Sequence, residues 1–133
     1  MTTIVVGYVP KPEGHAALRR AAEEARLRGA RLVVINSARG GRDFDAEDAV
    51  ESEAELAKVR EQLTEAGVEA EVRQLVRGQE VADDLISVAE ETSADFIVIG
   101  LRRRSPVGKL ILGSNAQQIL LDAPCPVLSV KAD

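Results

Sequence analysis

Residues 95–114 read DFIVIGLRRRSPVGKLILGS, and this stretch decides the fold. Asp95–Gly100 is a short β-branched, apolar run without polar alternation, the pattern of a strand covered on both faces. The loop that follows carries Arg102, Arg103 and Arg104, and it closes on Gly113 and Ser114. Gly-Ser ahead of an apolar helical pattern marks a helix start, whose unpaired N–H groups and dipole attract anions. The order is therefore strand, loop, helix, with an anion-attracting element beyond the strand's carboxyl end. The same residues also read more simply, as an ordinary serine N-cap, turn glycines and solvated arginines.

Working outward, the unit recurs. Thr3–Tyr8 (TIVVGY), Arg31–Ser37 (RLVVINS) and Cys125–Val130 (CPVLSV) are further runs that fit strands buried on both faces. Val68–Val76 (VEAEVRQLV) alternates instead, so it has one wetter face and belongs at a sheet edge. Helical spacing fills the gaps. Leu18, Ala21, Ala22 and Ala25 recur within Pro12–Arg28; Leu56, Val59, Leu63 and Ala66 within Ala46–Ala66. Val81, Leu85, Val88 and Ala89 recur within Gln79–Thr92; Ala116, Ile119 and Leu120 within Ser114–Leu121. Gly29 and Gly67 stand where the first two helices should stop.

Strict alternation of strand and helix predicts an α/β fold, a Rossmann-like open sheet of five parallel strands with helices on both faces. Right-handed crossovers then favour the strand order 3-2-1-4-5. The chain reverses its direction across the sheet between the first and fourth strands, and ligands of open α/β sheets bind beyond the carboxyl ends of the strands at such a point. The loops meeting there are Val9–Gly14 and Leu101–Gly113. Arg39–Asp45 (RGGRDFD) is a Gly-rich, charged connector.

Composition bounds the function. The 133 residues make one domain, residues 1–133, and at 45% hydrophobic they can bury a core. Aromatic residues are only 2%, so the core is aliphatic and a base-stacking platform for single-stranded nucleic acid has no material. A net charge of −5 repels polyanions, which argues against nucleic acid or an anionic membrane as partner. The apolar runs are too short to span a bilayer, and no basic leader precedes the first of them. One cysteine, Cys125, permits no internal disulfide. The expectation is a cytoplasmic protein.

Several chemistries are excluded by motif. Val107-Gly108-Lys109-Leu110 puts leucine where a P-loop needs its magnesium-binding hydroxyl, and the first turn, GYVPKPEG, lacks the dinucleotide glycine triplet. A phosphoacceptor receiver needs acids roughly where Val9 and Gly78 stand. His15, the single histidine, has no partner at catalytic spacing and reads as an exposed helix residue. Cys125 reads as a buried or interface thiol. Glu47, Asp48, Glu51, Glu53 and Glu55, and likewise Asp83 and Asp84, suit the positive ends of their helices. No zinc ligand set and no catalytic set is legible.

The stretch Asp95–Val130, DFIVIGLRRRSPVGKLILGSNAQQILLDAPCPVLSV, resembles the C-terminal signature of the universal stress protein family, and nearly the whole chain fits the same plan. The resemblance implies a stress-response regulator, a homodimer paired through the last strand, and unknown protein partners. It also implies an adenine-nucleotide site, ATP with Mg2+, with at most slow hydrolysis. Some members bind no nucleotide and act through partners alone.

The family's nucleotide motif is Gly, two residues, Gly, nine residues, Gly, then Ser or Thr. Gly100, Gly113 and Ser114 match, the nine residues Arg104–Leu112 are kept, and Arg103 replaces the second glycine. Site residues implied in this sequence are Val9 and Pro10 after the first strand and Ser37 at the end of the second. Gly100, Arg102 and Arg103 follow around the fourth strand, and Gly113, Ser114 and Asn115 open the last helix. Val9 stands where nucleotide-binding relatives often carry an acid, and Lys11 adds a cation across the switch point.

Overall fold

The computed structural model describes residues 2–38, 46–76, 80–101 and 112–132. Strands β1 (Thr3–Gly7), β2 (Arg31–Ala38), β3 (Ala70–Val76), β4 (Phe96–Leu101) and β5 (Val127–Lys131) alternate with helices α1 (Pro12–Arg28), α2 (Ala46–Glu65), α3 (Val81–Thr92) and α4 (Ser114–Asp122). All strand pairings are parallel, and the sheet order is β3-β2-β1-β4-β5, as the crossover rule requires. The register sets Val5 between Val33 and Ile97, so three branched side chains share one sheet row.

The period of two along each strand divides the core. Ile4, Val6, Leu32 and Val34 face α1 and α2, where Ala17, Leu18, Ala21, Leu56, Val59 and Leu63 cover them. Val5, Val33, Ile35, Ile97 and Ile99 face α3 and α4, where Leu85, Val88, Ala89 and Ile119 do the same. Each buried Val, Leu or Ile among them contributes about 1.5–3 kcal/mol, and each alanine less. An exposed ion pair contributes about 1 kcal/mol or less. The two apolar faces therefore hold the sheet, and the surface charges adjust it.

Helix ends follow local chemistry. Pro12 opens α1, where a missing N–H costs nothing. Gly29 closes it in the left-handed region at φ 62°, with its N–H donating to the Ala25 carbonyl. α3 begins at Val81 because Glu80 is extended, at φ −66° and ψ 147°, while Gln79 lies outside the described residues.

Two strand readings change. β3 is an edge strand, as its alternation predicts, but it starts at Ala70. β5 starts at Val127, and it is not covered on both faces as its composition predicts. It forms the other edge of the sheet, with Val127, Leu128 and Val130 half-buried and Ser129 and Lys131 exposed.

Candidate functional site

A cleft of about 320 Å³ lies beyond the carboxyl ends of β1 and β4, at the switch point. Its floor and one wall are apolar, built from Ile35, Ile99, Val81, Leu85 and Ile119. Its other side is the turn from β1 into α1, with Tyr8, Val9, Lys11, Glu13 and Gly14, and the start of α4 closes it with Gly113 and Asn115. Strand order brings these segments together, although they lie far apart in the chain.

Backbone fits tightly where α1 crosses β4. A Cβ on Gly100 would stand 1.9 Å from the Glu13 carbonyl oxygen, and one on Gly14 would stand 1.8 Å from the Val9 carbonyl oxygen. Gly100 thus admits the first turn of α1. Lys11 N–H donates to the Val9 carbonyl at 2.8 Å, which curls the β1–α1 turn around the cleft.

At α4 the N-cap position is Gly113, not Ser114. Gly113 is extended (φ −71°, ψ 166°), Ser114 is the first helical residue and exposed, and the N-cap glycine has no side chain with which to cap the helix. The leading N–H groups of α4 have no partner within the helix, as at any helix start. Asn115 has a structural task beside its place in the cleft, since its Oδ1 accepts from the Ala82 N–H at 3.2 Å. It thereby caps α3, whose own N-cap Glu80 makes no side-chain cap bond. Gln118 Nε2 donates to Asp83 Oδ1 at 2.7 Å and locks the same two helices.

Polar groups anchor the cleft's other corners. Asn36 Nδ2 donates to the Tyr8 carbonyl at 3.1 Å, and Tyr8 OH donates to Glu55 at 2.6 Å. Burial, and then the hydrogen bond and charge of Glu55, push the Tyr8 phenol pKa up, so it stays a donor. Ser37 lines the cleft, and its Oγ donates to Asp84 Oδ2 at 2.5 Å. Asp84 is fully buried, and its Oδ1 has no hydrogen-bond partner among the described residues.

Of the residues expected at the site, Val9, Ser37, Gly100, Gly113 and Asn115 line this one cleft, as does Lys11. Pro10 and Ser114 are exposed and are not among its lining residues. Arg102 and Arg103, with Arg104 and the connector 39–45, lie outside the described residues. The motif missed Tyr8 and Gly14, and above all Asp84, which the sequence suggests only as an acid at a helix start. His15 is exposed and meets the Tyr8 ring edge-on at 5.6 Å. Cys125 is half-buried, and burial, then the charge of Asp95, push its thiol pKa up, away from the reactive thiolate. Among the described residues no His, Cys and acid cluster could hold a metal, and no helix is long and apolar enough to cross a membrane.

A parallel 3-2-1-4-5 sheet with its cleft at the switch point defines an α/β protein of the Rossmann-like kind. The particular family follows from comparison with known proteins, because the universal stress protein family model matches residues 1–131. The chain belongs to that family. A universal stress protein of Mycolicibacterium smegmatis is 44% identical over 128 residues, which is 96% of each chain. The structure of a universal stress protein from Archaeoglobus fulgidus superposes with a TM-score of 0.86 at 42% identity, covering 98% of this chain and 99% of the other. Another structure from that organism, of the universal stress protein in complex with dAMP, gives a TM-score of 0.80 at 36% identity, covering 98% of each chain.

Proposed function

We propose that the cleft binds an adenine nucleotide, ATP being the natural candidate, and that the protein serves as a cytoplasmic stress-response regulator that reports nucleotide binding. The observation that carries this reading is the pairing of two chemistries in one cavity. An aliphatic slot of Ile35, Leu85, Ile99 and Ile119 suits a planar base. The start of α4 and Lys11 line the same cleft, and a helix start and a cation suit phosphate. The dAMP complex of the Archaeoglobus fulgidus relative supports the choice of adenine. Glu13 is the acid among the lining residues, and a Mg2+ ion bound with the nucleotide would take most of its oxygens from phosphates and water. The proposal is of binding, with the metal and phosphates supplying charge neutralisation when bound.

Calorimetric titration with ATP and Mg2+ tests it. Saturable heat is expected, together with a rise in melting temperature as ligand exceeds Kd. Gly113→Leu, which places bulk at the start of α4, should weaken binding on the order of tenfold or more. A flat titration at millimolar nucleotide, with no nucleotide released on denaturing freshly purified protein, overturns the reading.

We further propose that two copies pair through β5. That strand carries Val127, Leu128 and Val130 yet forms an open edge, beside Leu120 and Leu121, which are 41% and 82% exposed on α4.

A further inference from the structure

The first turn of α3 is held from outside at three successive residues. Ala82 N–H donates to Asn115 Oδ1 at 3.2 Å, Asp83 Oδ1 accepts from Gln118 Nε2 at 2.7 Å, and Asp84 Oδ2 accepts from the Ser37 hydroxyl. Two of these ties come from α4. Asn115 and Gln118 stand three positions apart, so they share one face of that helix. Ile119, next along α4, belongs to the same buried cluster as Ala82 and Leu85. The Asn115 tie has a fixed sense, because a backbone N–H can only donate and the amide must present its oxygen. Ala82 is fully buried, and the N-cap residue Glu80 makes no side-chain cap bond. Without the Asn115 oxygen a buried donor therefore loses its partner.

Gly113, Asn115 and Ala116 line the cleft, whereas Asp83 and Gln118 are not among its lining residues. We infer that the start of α3 reports occupancy of the cleft: a ligand that steadies the first turn of α4 keeps Asn115 on Ala82 and so suppresses local opening at Ala82–Asp84. The coupling acts by stabilisation and requires no displacement of either helix. Asn115 is the positioning residue that joins the two helix starts, and Gln118 is the second tie, outside the cleft. This rests on the nucleotide reading above and names the element through which binding is reported.

Amide hydrogen exchange, followed residue by residue by NMR with AMP as the probe, gives the test. In the ligand-free protein Asn115→Ala should speed exchange at Ala82 on the order of tenfold, and Asn115→Asp, which keeps an acceptor, should not. Saturating AMP should slow exchange at Ala82, Asp83 and Asp84 of the unaltered protein on the order of tenfold. Ala66 and Gly67, just beyond α2 and not among the lining residues, should keep their rates. Gln118→Ala should leave AMP bound and shrink the slowing at α3, and it decides the matter if Asn115→Ala fails to fold. Unchanged exchange at Ala82 in Asn115→Ala overturns the inference. So does AMP binding without slowing at α3, or slowing that persists in full in Gln118→Ala, and in both cases nucleotide binding stands. Failure of AMP to bind removes the nucleotide reading and the inference together.

Discussion

Glycine at position 100 stands in the sequence as the first glycine of the family's nucleotide motif, and the structure gives it a steric neighbour within the protein itself. The atom a Cβ would strike is the Glu13 carbonyl oxygen, at 1.9 Å, which belongs to the first turn of α1. Backbone cannot swing aside as a side chain can, so Gly100→Ala must push α1 off β4. We expect it to destabilise the protein by about 1–3 kcal/mol, in the range of overpacked cores. The checking measurement is urea unfolding, with a lower midpoint and an unchanged slope. An unchanged midpoint would show that α1 yields without strain. The other site residues divide by how local their logic is. Val9 and Gly113 were legible because the switch-point rule needs only strand order, whereas Ser37 entered through the family resemblance. Asp84 was not, because its bond to Ser37 spans 47 positions and exists only once α3 lies against β2.

Elements show the same division. Helix α1 was readable to the residue, since Pro12 and Gly29 are chemical punctuation. The strand order read from the sequence puts both β3 and β5 at edges, as found; what the composition of β5 did not disclose is that its faces are only partly covered, which depends on its neighbours. The two edges are finished differently. On β3 the outer row carries charge: Arg73 Nε bonds Glu71 at 2.6 Å, Arg31 pairs with Glu71, and Arg73 reaches Glu91 of α3 at 3.3 Å. Charges of this kind discourage strand addition. Glu71 is held below its ordinary pKa of 4.5, first by the hydrogen bond from Arg73 and further by the charges of Arg73 and Arg31, against a smaller opposing effect of burial. A lowered carboxylate pKa means that the folded state releases the proton more readily than the unfolded state. The stabilisation is therefore present above about 4.5 and is lost as pH falls through the lower folded value. Unfolding curves of Glu71→Gln and the unaltered protein should differ at neutral pH by about 1 kcal/mol or less, because the pair is partly exposed. They should converge in acid. A gap that persists or widens below that range would assign the effect to packing.

At the scale of the molecule, the contrast between the edges bears on assembly. One edge is charged and tied to α3; the other presents Val127, Leu128 and Val130 with Leu120 and Leu121 exposed nearby. An open, apolar edge strand is a template for another chain, and a protein that leaves one uncovered is expected to use it. The hydrogen-bond parity of β5 shows how to test this without disturbing the protomer. Pro126 accepts from the Ile97 N–H, and the Ala132 N–H donates to Leu101, so the even-numbered residues of β5 bond to β4. By alternation Ser129 directs its N–H outward, and it is exposed. Ser129→Pro removes that one donor at a position where edge strands tolerate proline. Sedimentation equilibrium should show the unaltered protein as a dimer and Ser129→Pro shifted to monomer, with circular dichroism unchanged. A monomer in both would refute pairing through β5. A dimer in both would place the interface elsewhere, with the exposed leucines of α4 as the next surface to alter. In neither case would the cleft be affected, because it lies at the carboxyl ends of β1 and β4 and is lined without any residue of β5.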